Sequence, residues 1–417
     1  MYVVGVIAEY NPFHNGHAYQ IDCIRKQYPG AAIVACMSGN FTQRGEAAIL
    51  DKWHRAELAI AGGVDLVIEL PFAFACRSAQ DFARGGVSLL AALGCVDALA
   101  FGAECKDIKL LKRIADTIDS PSIQRKLHER LTTGISYAAA LSTVLIAQYG
   151  ITEKVLAAPN NILAIEYLRA LPKYEAKDGK RIQPLLIPRK GSGFHNLTIS
   201  HLASASAIRH ALDRSSIVWA DIEQMTTPRT LQMLKKYVPE KLADTKRLFR
   251  PLLHAIMTHA RQMDFSSLYG FREGIENRLV RAAKQSSSLT ELLEFMATKR
   301  YQTSRIRRLL IYLLLDIKTH TMHAFTKAGP SYARILALNT RGSKLLHACA
   351  AHSKCPLITK TTSFLPRDKY CRADALTVPQ KMMLLDTETS WLRSLTLPSV
   401  TLESDFSHSP RFFKALS

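Results

Sequence analysis

None of the eight cysteines, at 23, 36, 76, 95, 105, 349, 355 and 371, is spaced Cys-x-x-Cys with another. The redox and zinc motifs built on that spacing are excluded, and cysteines lying mostly in apolar runs predict reduced core residues of a cytoplasmic protein. A basic leader is also missing: the short apolar run at the N-terminus is cut off by Glu9, so no signal peptide is expected. The long uncharged stretch Leu131 to Thr152 contains Ser, Thr, Gly and Gln, which predicts a packed Ala-rich helix rather than a membrane span. No internal repeat or low-complexity tract occurs. Acid is scarce, with 35 Asp and Glu against 55 Lys and Arg. The shortfall is uneven: residues 1–215 carry 24 basic and 19 acidic side chains, and residues 216–417 carry 31 and 16. A polyanion such as nucleic acid, docking mainly on the second half, is one reading of that excess, and a solvated basic surface is the other.

With 417 residues the chain is long enough for two domains. The first half alternates strand and helix signals: Val3 to Ile7, a helix from His17, Ala32 to Met37, a helix from Asp51 to Ile60, Val64 to Leu70, a helix from Ser78 to Leu93, then Ala98 to Phe101. Such alternation predicts an α/β fold with a Rossmann-like parallel sheet over 1–215. Strands such as Leu66-Val-Ile68 are apolar throughout, as strands covered on both faces must be. Residues 170 to 181 predict a polar surface loop before a strand at Pro184 to Ile187. From about Trp219 strand signals fade, and 216–417 reads as a mainly α-helical basic domain. Its clearest helix places Ile306, Leu309, Leu310, Leu313, Leu314 and Ile317 on one stripe, with Tyr301, Arg305, Arg308 and Tyr312 on another side. The last thirty residues, with scattered Ser and Pro, predict a loosely held surface segment.

Chemistry concentrates where strand Val3 to Ile7 ends. Asn11-Pro12 breaks the strand, and the spacing of Ala18, Ile21 and Ile24 starts a helix at about His14, so His14 and His17 share its first turn. Free backbone N–H groups and the positive end of the helix dipole point the same way, so a triphosphate lying there meets amides and two imidazole donors together. Chance or metal binding is the plainer reading of His-x-Gly-His. Ligands in parallel α/β sheets bind at the carboxyl ends of strands, where Ser38, Gly39, Asn40, Glu69, Pro71 and Gly102 also fall. Asp65 and Glu69, costly to bury unpaired, could orient Arg44, Lys52 or a magnesium ion.

The sequence resembles the His-x-Gly-His nucleotidyltransferase superfamily, and within it the bacterial tRNA(Met) cytidine acetate ligase family. The blocks that carry the likeness are Met37-Ser-Gly-Asn-Phe-Thr-Gln-Arg-Gly-Glu46, Asp51-Lys-Trp, Gly63-Val-Asp-Leu-Val-Ile-Glu-Leu-Pro71, Phe101-Gly-Ala-Glu104, Ala158-Pro-Asn-Asn-Ile-Leu163 and Ser204-Ala-Ser-Ala-Ile-Arg209. The resemblance implies that ATP, with magnesium, and acetate give acetyl-adenylate, and that the wobble cytidine of elongator methionine tRNA then receives the acetyl group. It implies ATP contacts along Ile7, Ala8, Glu9, Tyr10, Asn11, Pro12, Phe13, His14, Asn15, Gly16, His17, Ala18, Tyr19 and Gln20, and at Gly102, Asn160, Asn161, Arg189, Ser204 and Ser206, with Asn161 favoured over Asn160 as the ligand residue. His14, His17 and Arg209 become the catalytic candidates, the last through a planar fork suited to the β and γ phosphates. Ser38, Gly39 and Asn40 are expected to line the pocket of a small polar acceptor.

Arg305 and Arg308, with Lys235 and Lys236, are the candidate tRNA contacts, although a solvated polar face explains the arginines equally well. Two rival functions are an adenylyltransferase for a small phosphorylated metabolite, which leaves the basic second half unused, and a non-catalytic RNA-binding protein, which leaves His14, His17, Ser206 and Arg209 unused. No membrane partner is expected.

Overall fold

A computed structural model of the chain describes all residues except 136, 151–152, 176–178, 180, 190–202, 214–215, 239–241, 263, 299–300, 367–374, 403 and 415–417. Five parallel strands form its centre: β1 (Val3–Ala8), β2 (Ala32–Ser38), β3 (Leu66–Leu70), β4 (Ala98–Ala103) and β5 (Gln183–Pro188), in the order β5-β4-β1-β2-β3. β1 and β2 pair in register from Val3 with Ala32 to Ala8 with Met37. In β2, Ala32, Val34 and Cys36 enter one apolar core while Ile33, Ala35 and Met37 enter another. A strand alternates its side chains between faces, so both faces are covered and every position must be apolar.

The expected elements of the first half are present. Asp51 caps the helix Lys52–Ala61 by accepting from the His54 N–H at 2.8 Å, and Ser78 caps the helix Ala79–Ala92. The span from Leu131 to Thr152, expected as one helix, is broken: Pro121–Leu131 ends one helix, Gly134 turns at φ +80°, and Tyr137–Tyr149 forms the next. In the loop from 170 to 181, Leu171–Lys173 forms a 3-10 turn. Lys177, Asp178 and Lys180 lie outside the described residues, as do Thr152 and Cys371.

Among the described residues the second half is built mainly of helices between Trp219 and Ala328, as its periodicity predicts, but the chain then returns to the sheet. β6 (Ala333–Asn339) runs antiparallel to β3, with a bulge between Val67 and Ile68, and β7 (Leu357–Ile358) and β8 (Arg411–Phe413) both pair with β6. Sheet and second-half helices share one apolar core, to which Ile68, Leu70, Leu310, Phe325 and Ile335 all belong. The tail expected to be loose is anchored by Asp405, which is 2% exposed, and by β8.

Cys95 and Cys349 form a disulfide, contrary to the expectation of reduced thiols. They are 254 residues apart in sequence, so no local spacing marks the pair. Among the described residues no helix is long and apolar enough to cross a membrane.

Candidate functional site

The carboxyl ends of β1 and β4 open into a cavity of about 980 Å³ whose lining includes Ile7, Glu9, His14, His17, Gly102 and Arg189. His14 is the N-cap of the helix Asn15–Gln27 and takes the place usually held by Ser or Asp: its Nδ1 accepts from the Gly16 N–H at 3.0 Å. His17 returns the contact, its Nδ1 accepting from the His14 N–H at 3.3 Å. A Cβ on residue 16 would come within 2.8 Å of the His14 ring, so glycine is needed for the cap itself.

This reciprocal cap sets the chemistry of both rings. Burial, helped for His14 by the Arg189 and Arg209 guanidiniums, pushes His14 down to about 3. Burial first, then His14 and Arg189, holds His17 well below the usual histidine range. Both imidazoles are therefore neutral at pH 7. A ring nitrogen that accepts a hydrogen bond cannot also carry the proton, so each ring keeps it on Nε2 and presents one N–H donor.

Arg209 is placed by the block Ser204-Ala-Ser-Ala-Ile-Arg209. Ser204 caps the helix Ala205–Leu212 by accepting from the Ala207 N–H at 3.2 Å, and the Ser206 Oγ accepts from Arg209 Nη2 at 3.2 Å. The other end of the guanidinium donates to the Asn11 carbonyl at 2.8 Å, which ties this helix to the loop before His14. Ser204 and Ser206 thus act as acceptors here rather than as free donors.

The loop Phe41 to Ala47 brings Arg44 to the cavity rather than to Asp65 or Glu69. Gln43 and Arg44 line the cavity, and so do Gln302, Thr303, Ser304, Arg305, Arg307 and Arg308 from the start of the helix Thr303–Leu314. Gly45 makes the junction possible: at φ +77°, with a Cβ that would lie 2.7 Å from the Arg308 backbone nitrogen, only glycine fits. Glu46 bridges the two halves, 2.5 Å from Arg307 and 3.6 Å from Arg209. Arg308 donates to the Gln43 carbonyl at 3.2 Å, and Arg305 lies over the Tyr301 ring at 4.9 Å. Tyr301 and Tyr312, expected on an outer side of that helix, are buried, and the Tyr312 hydroxyl donates to the Cys76 carbonyl. Arg307 carried a signal only in its spacing from Arg305 and Arg308. Lys235 and Lys236 stand apart on the exposed surface of the helix Pro228–Tyr237, over Trp219 and Tyr237.

Other expected residues are displaced. Asn160 lines the cavity and donates to Glu104 at 2.6 Å, whereas Asn161 is buried, accepting from the Cys105 N–H at 2.9 Å and donating to the Val155 carbonyl at 2.9 Å. Asn161 braces the wall on which Asn160 stands, and neither caps the helix Pro159–Ala170, whose N-cap is Ala158. Ser38, Gly39 and Asn40 do not line the cavity. Arg55, fully enclosed, donates to the Ser38 carbonyl at 3.1 Å and to the Gly39 carbonyl, while Asn40 accepts from the Lys52 N–H at 3.0 Å and donates to Ser390 at 2.9 Å. Polar composition suggested a pocket there; instead the two carbonyls and the Asn40 amide are bonded inside the protein, and the Ser38 hydroxyl is buried without a hydrogen-bond partner.

Glu69 and Asp65 also find protein partners. Lys52 Nζ lies 2.8 Å from Glu69 and 2.7 Å from Asp405, and Arg334 lies 3.3 Å and 2.7 Å from the same two carboxylates. Asp65 pairs with Arg25 at 2.6 Å and accepts from the Ile33 N–H and Asn339. Among the described residues no cluster of three His, Cys, Asp or Glu is placed to hold a metal.

A parallel sheet with a histidine-capped helix at the end of its first strand, and with arginines converging on the cavity beyond it, defines a nucleotide-binding α/β protein of the nucleotidyltransferase class. The HIGH nucleotidyl transferase family matches residues 1–403. Curated proteins called tRNA(Met) cytidine acetate ligase match from end to end: that of Syntrophomonas wolfei is 37% identical over 98% of this chain and 99% of its own, and that of Syntrophotalea carbinolica is 37% identical over 98% of each. The apo crystal structure of TmcAL from Thermotoga maritima superposes with a TM-score of 0.89 at 31% identity, and the form bound with alpha-thio ATP with 0.87 at 31%, each over 100% of both chains. The chain belongs to the HIGH nucleotidyltransferases and, within them, to the tRNA(Met) cytidine acetate ligase family.

Proposed function

We propose that this protein uses ATP to activate acetate and then acetylates the wobble cytidine of elongator methionine tRNA, giving N4-acetylcytidine. The observation that carries the reading is the mutual capping of His14 and His17, which leaves two neutral Nε2–H donors at the start of a helix beside an arginine-rich cavity. An acetate oxygen attacks the α-phosphorus, the bond to the β-phosphate breaks, and pyrophosphate leaves. Negative charge grows on the α-phosphate oxygens, and the two Nε2–H groups are suited to meet it without first losing a hydration shell. Arg209 and Arg189 are suited to the β and γ phosphates. Magnesium fits as a passenger on the triphosphate, held by phosphate oxygens and water, as this ion commonly is.

A cytosine amine is a weak nucleophile, which is why an acyl-adenylate held close to it is needed. We assign the nucleotide to residues 1–215 and tRNA docking to residues 216–417, with Arg305 and Arg308 in the cavity lining and Lys235 and Lys236 on the surface outside it. A tRNA substrate places the protein in the cytoplasm. The test is isotope exchange: with ATP, magnesium and acetate, labelled pyrophosphate returns to ATP, and omission of acetate abolishes the return. The assay is run with and without methionine tRNA, and exchange that ignores acetate in both overturns the reading.

A further inference from the structure

Acylating an amine requires a group that takes a proton from nitrogen, and the cavity offers few. Arginine cannot accept one. His14 and His17 cannot, because their Nδ1 atoms are filled by the Gly16 and His14 N–H groups and their Nε2 atoms already carry protons. Tyr10 and Tyr167 are pushed far up by burial, so they hold their protons. The Glu166 carboxylate is held by Arg169 Nη1 through both oxygens at 3.2 Å. Glu153 also lines the cavity, but it is exposed and stands on the short helix Glu153–Ala157 rather than beside a strand end.

Glu9 remains, and its position fits. It directly follows β1, five residues before His14, and it lines the cavity. Its Oε1 accepts from the Gln43 N–H at 2.7 Å, which fixes the carboxylate across the β1 and β2 loops. We propose that Glu9 is the catalytic base of acetyl transfer, taking the proton from the cytidine N4 as that nitrogen attacks acetyl-adenylate. The nitrogen lone pair forms the bond to the acetyl carbon. The bond from that carbon to the phosphate oxygen breaks, AMP leaves with the electron pair, and the N4 proton moves to the Glu9 carboxylate.

The surroundings suit a base. Burial raises the affinity of the Glu9 carboxyl for a proton, Glu46 adds to this, and the Gln43 N–H with the Arg209 and Arg44 guanidiniums works against it. The outcome is a carboxyl held above its ordinary range, closer to neutrality, where a general base is most effective.

The assignment rests on the acetate-ligase reading, and two assays separate their failures. Glu9→Gln keeps a side-chain oxygen for the Gln43 N–H but cannot take a proton. Transfer from chemically prepared acetyl-adenylate to methionine tRNA should fall about a hundredfold in this variant, within the range for a lost general base. Acetate-dependent pyrophosphate exchange should fall far less. Wild-type transfer should rise with pH as Glu9 ionises and then level off; Glu9→Gln should lose that rise, and Glu9→Asp should recover it at a lower rate. Transfer by Glu9→Gln at the wild-type rate, or equal losses in exchange and transfer, would overturn the assignment. Absence of acetate-dependent exchange in the wild type would overturn the reading beneath it.

Discussion

Two clusters of enclosed charge sit at the carboxyl ends of strands two apart in the sheet, and they differ in how completely they are satisfied. Beside β3, Lys52 and Arg334 face Glu69 and Asp405, two charges of each sign within 3.3 Å, and all four residues are buried. Beside β1, Arg44, Arg189, Arg305, Arg307 and Arg308 line the cavity and Arg209 adjoins it, with Glu9, Glu153 and Glu166 in the lining and Glu46 between Arg209 and Arg307. The first cluster closes on itself and holds the C-terminal tail to the sheet. The second leaves excess positive charge and two N–H donors beside open volume, which suits an anion. Buried charge alone therefore does not mark a ligand site; imbalance next to a cavity does.

The sharpest break in this comparison is Asp405→Ala. It leaves Lys52 and Arg334 facing Glu69 alone, and removing one partner of a buried ion pair costs about 3 to 5 kcal/mol. The urea midpoint should drop accordingly while the folded fraction still binds ATP; an unmoved midpoint would deny the cluster its structural role.

On the cavity side, His17→Ala should lower acetate-dependent pyrophosphate exchange on the order of a hundredfold, the loss expected for one transition-state donor. Affinity for tRNA should hardly change. A His17→Ala enzyme as fast as wild type would sink the phosphate role.

The same histidines should make stability acid-sensitive. In the unfolded chain each imidazole takes up a proton below about 6.5, whereas folded His14 does so only near 3 and folded His17 well below its ordinary range. The unfolded state then binds more protons, so stability should fall as pH falls from about 6.5 toward 4. His14→Asn, which keeps a capping acceptor but does not titrate, should flatten that slope in urea titrations. Saturating ATP should flatten it too, because phosphate favours the protonated ring. Equal slopes for both proteins would contradict the neutral cap.

The smallest effect concerns tRNA. Replacing Arg305 and Arg308 together by Ala should reduce the slope of log affinity against log salt by about one or two units. An unchanged slope would move the contact to Lys235 and Lys236.

Much of the nucleotide half was legible. Continuous apolar runs marked β1 to β4, and the spacing of Ala18, Ile21 and Ile24 located the helix behind the histidines, because period and capping are local. Ser38 to Asn40 misled because polar composition does not say whether water or protein supplies the partners. Arg307 is not legible in the sequence because nothing local reveals that Gly45 seats its backbone against the loop of residues 41–47.

The sequence by itself determined the alternation of strand and helix, the histidine pair at a helix start and the uneven charge of the two halves, all properties of residues near one another in the chain. Only tertiary structure decided that β6 joins the sheet beside β3, where Arg334 meets Glu69 across 265 residues of chain, that Cys95 meets Cys349, and that Asp405 neutralises Lys52 and Arg334. It also decided the protonation of His14 and His17, since burial and neighbouring arginines set it. Such pairings depend on which surfaces exclude water together, and no window of sequence contains both partners.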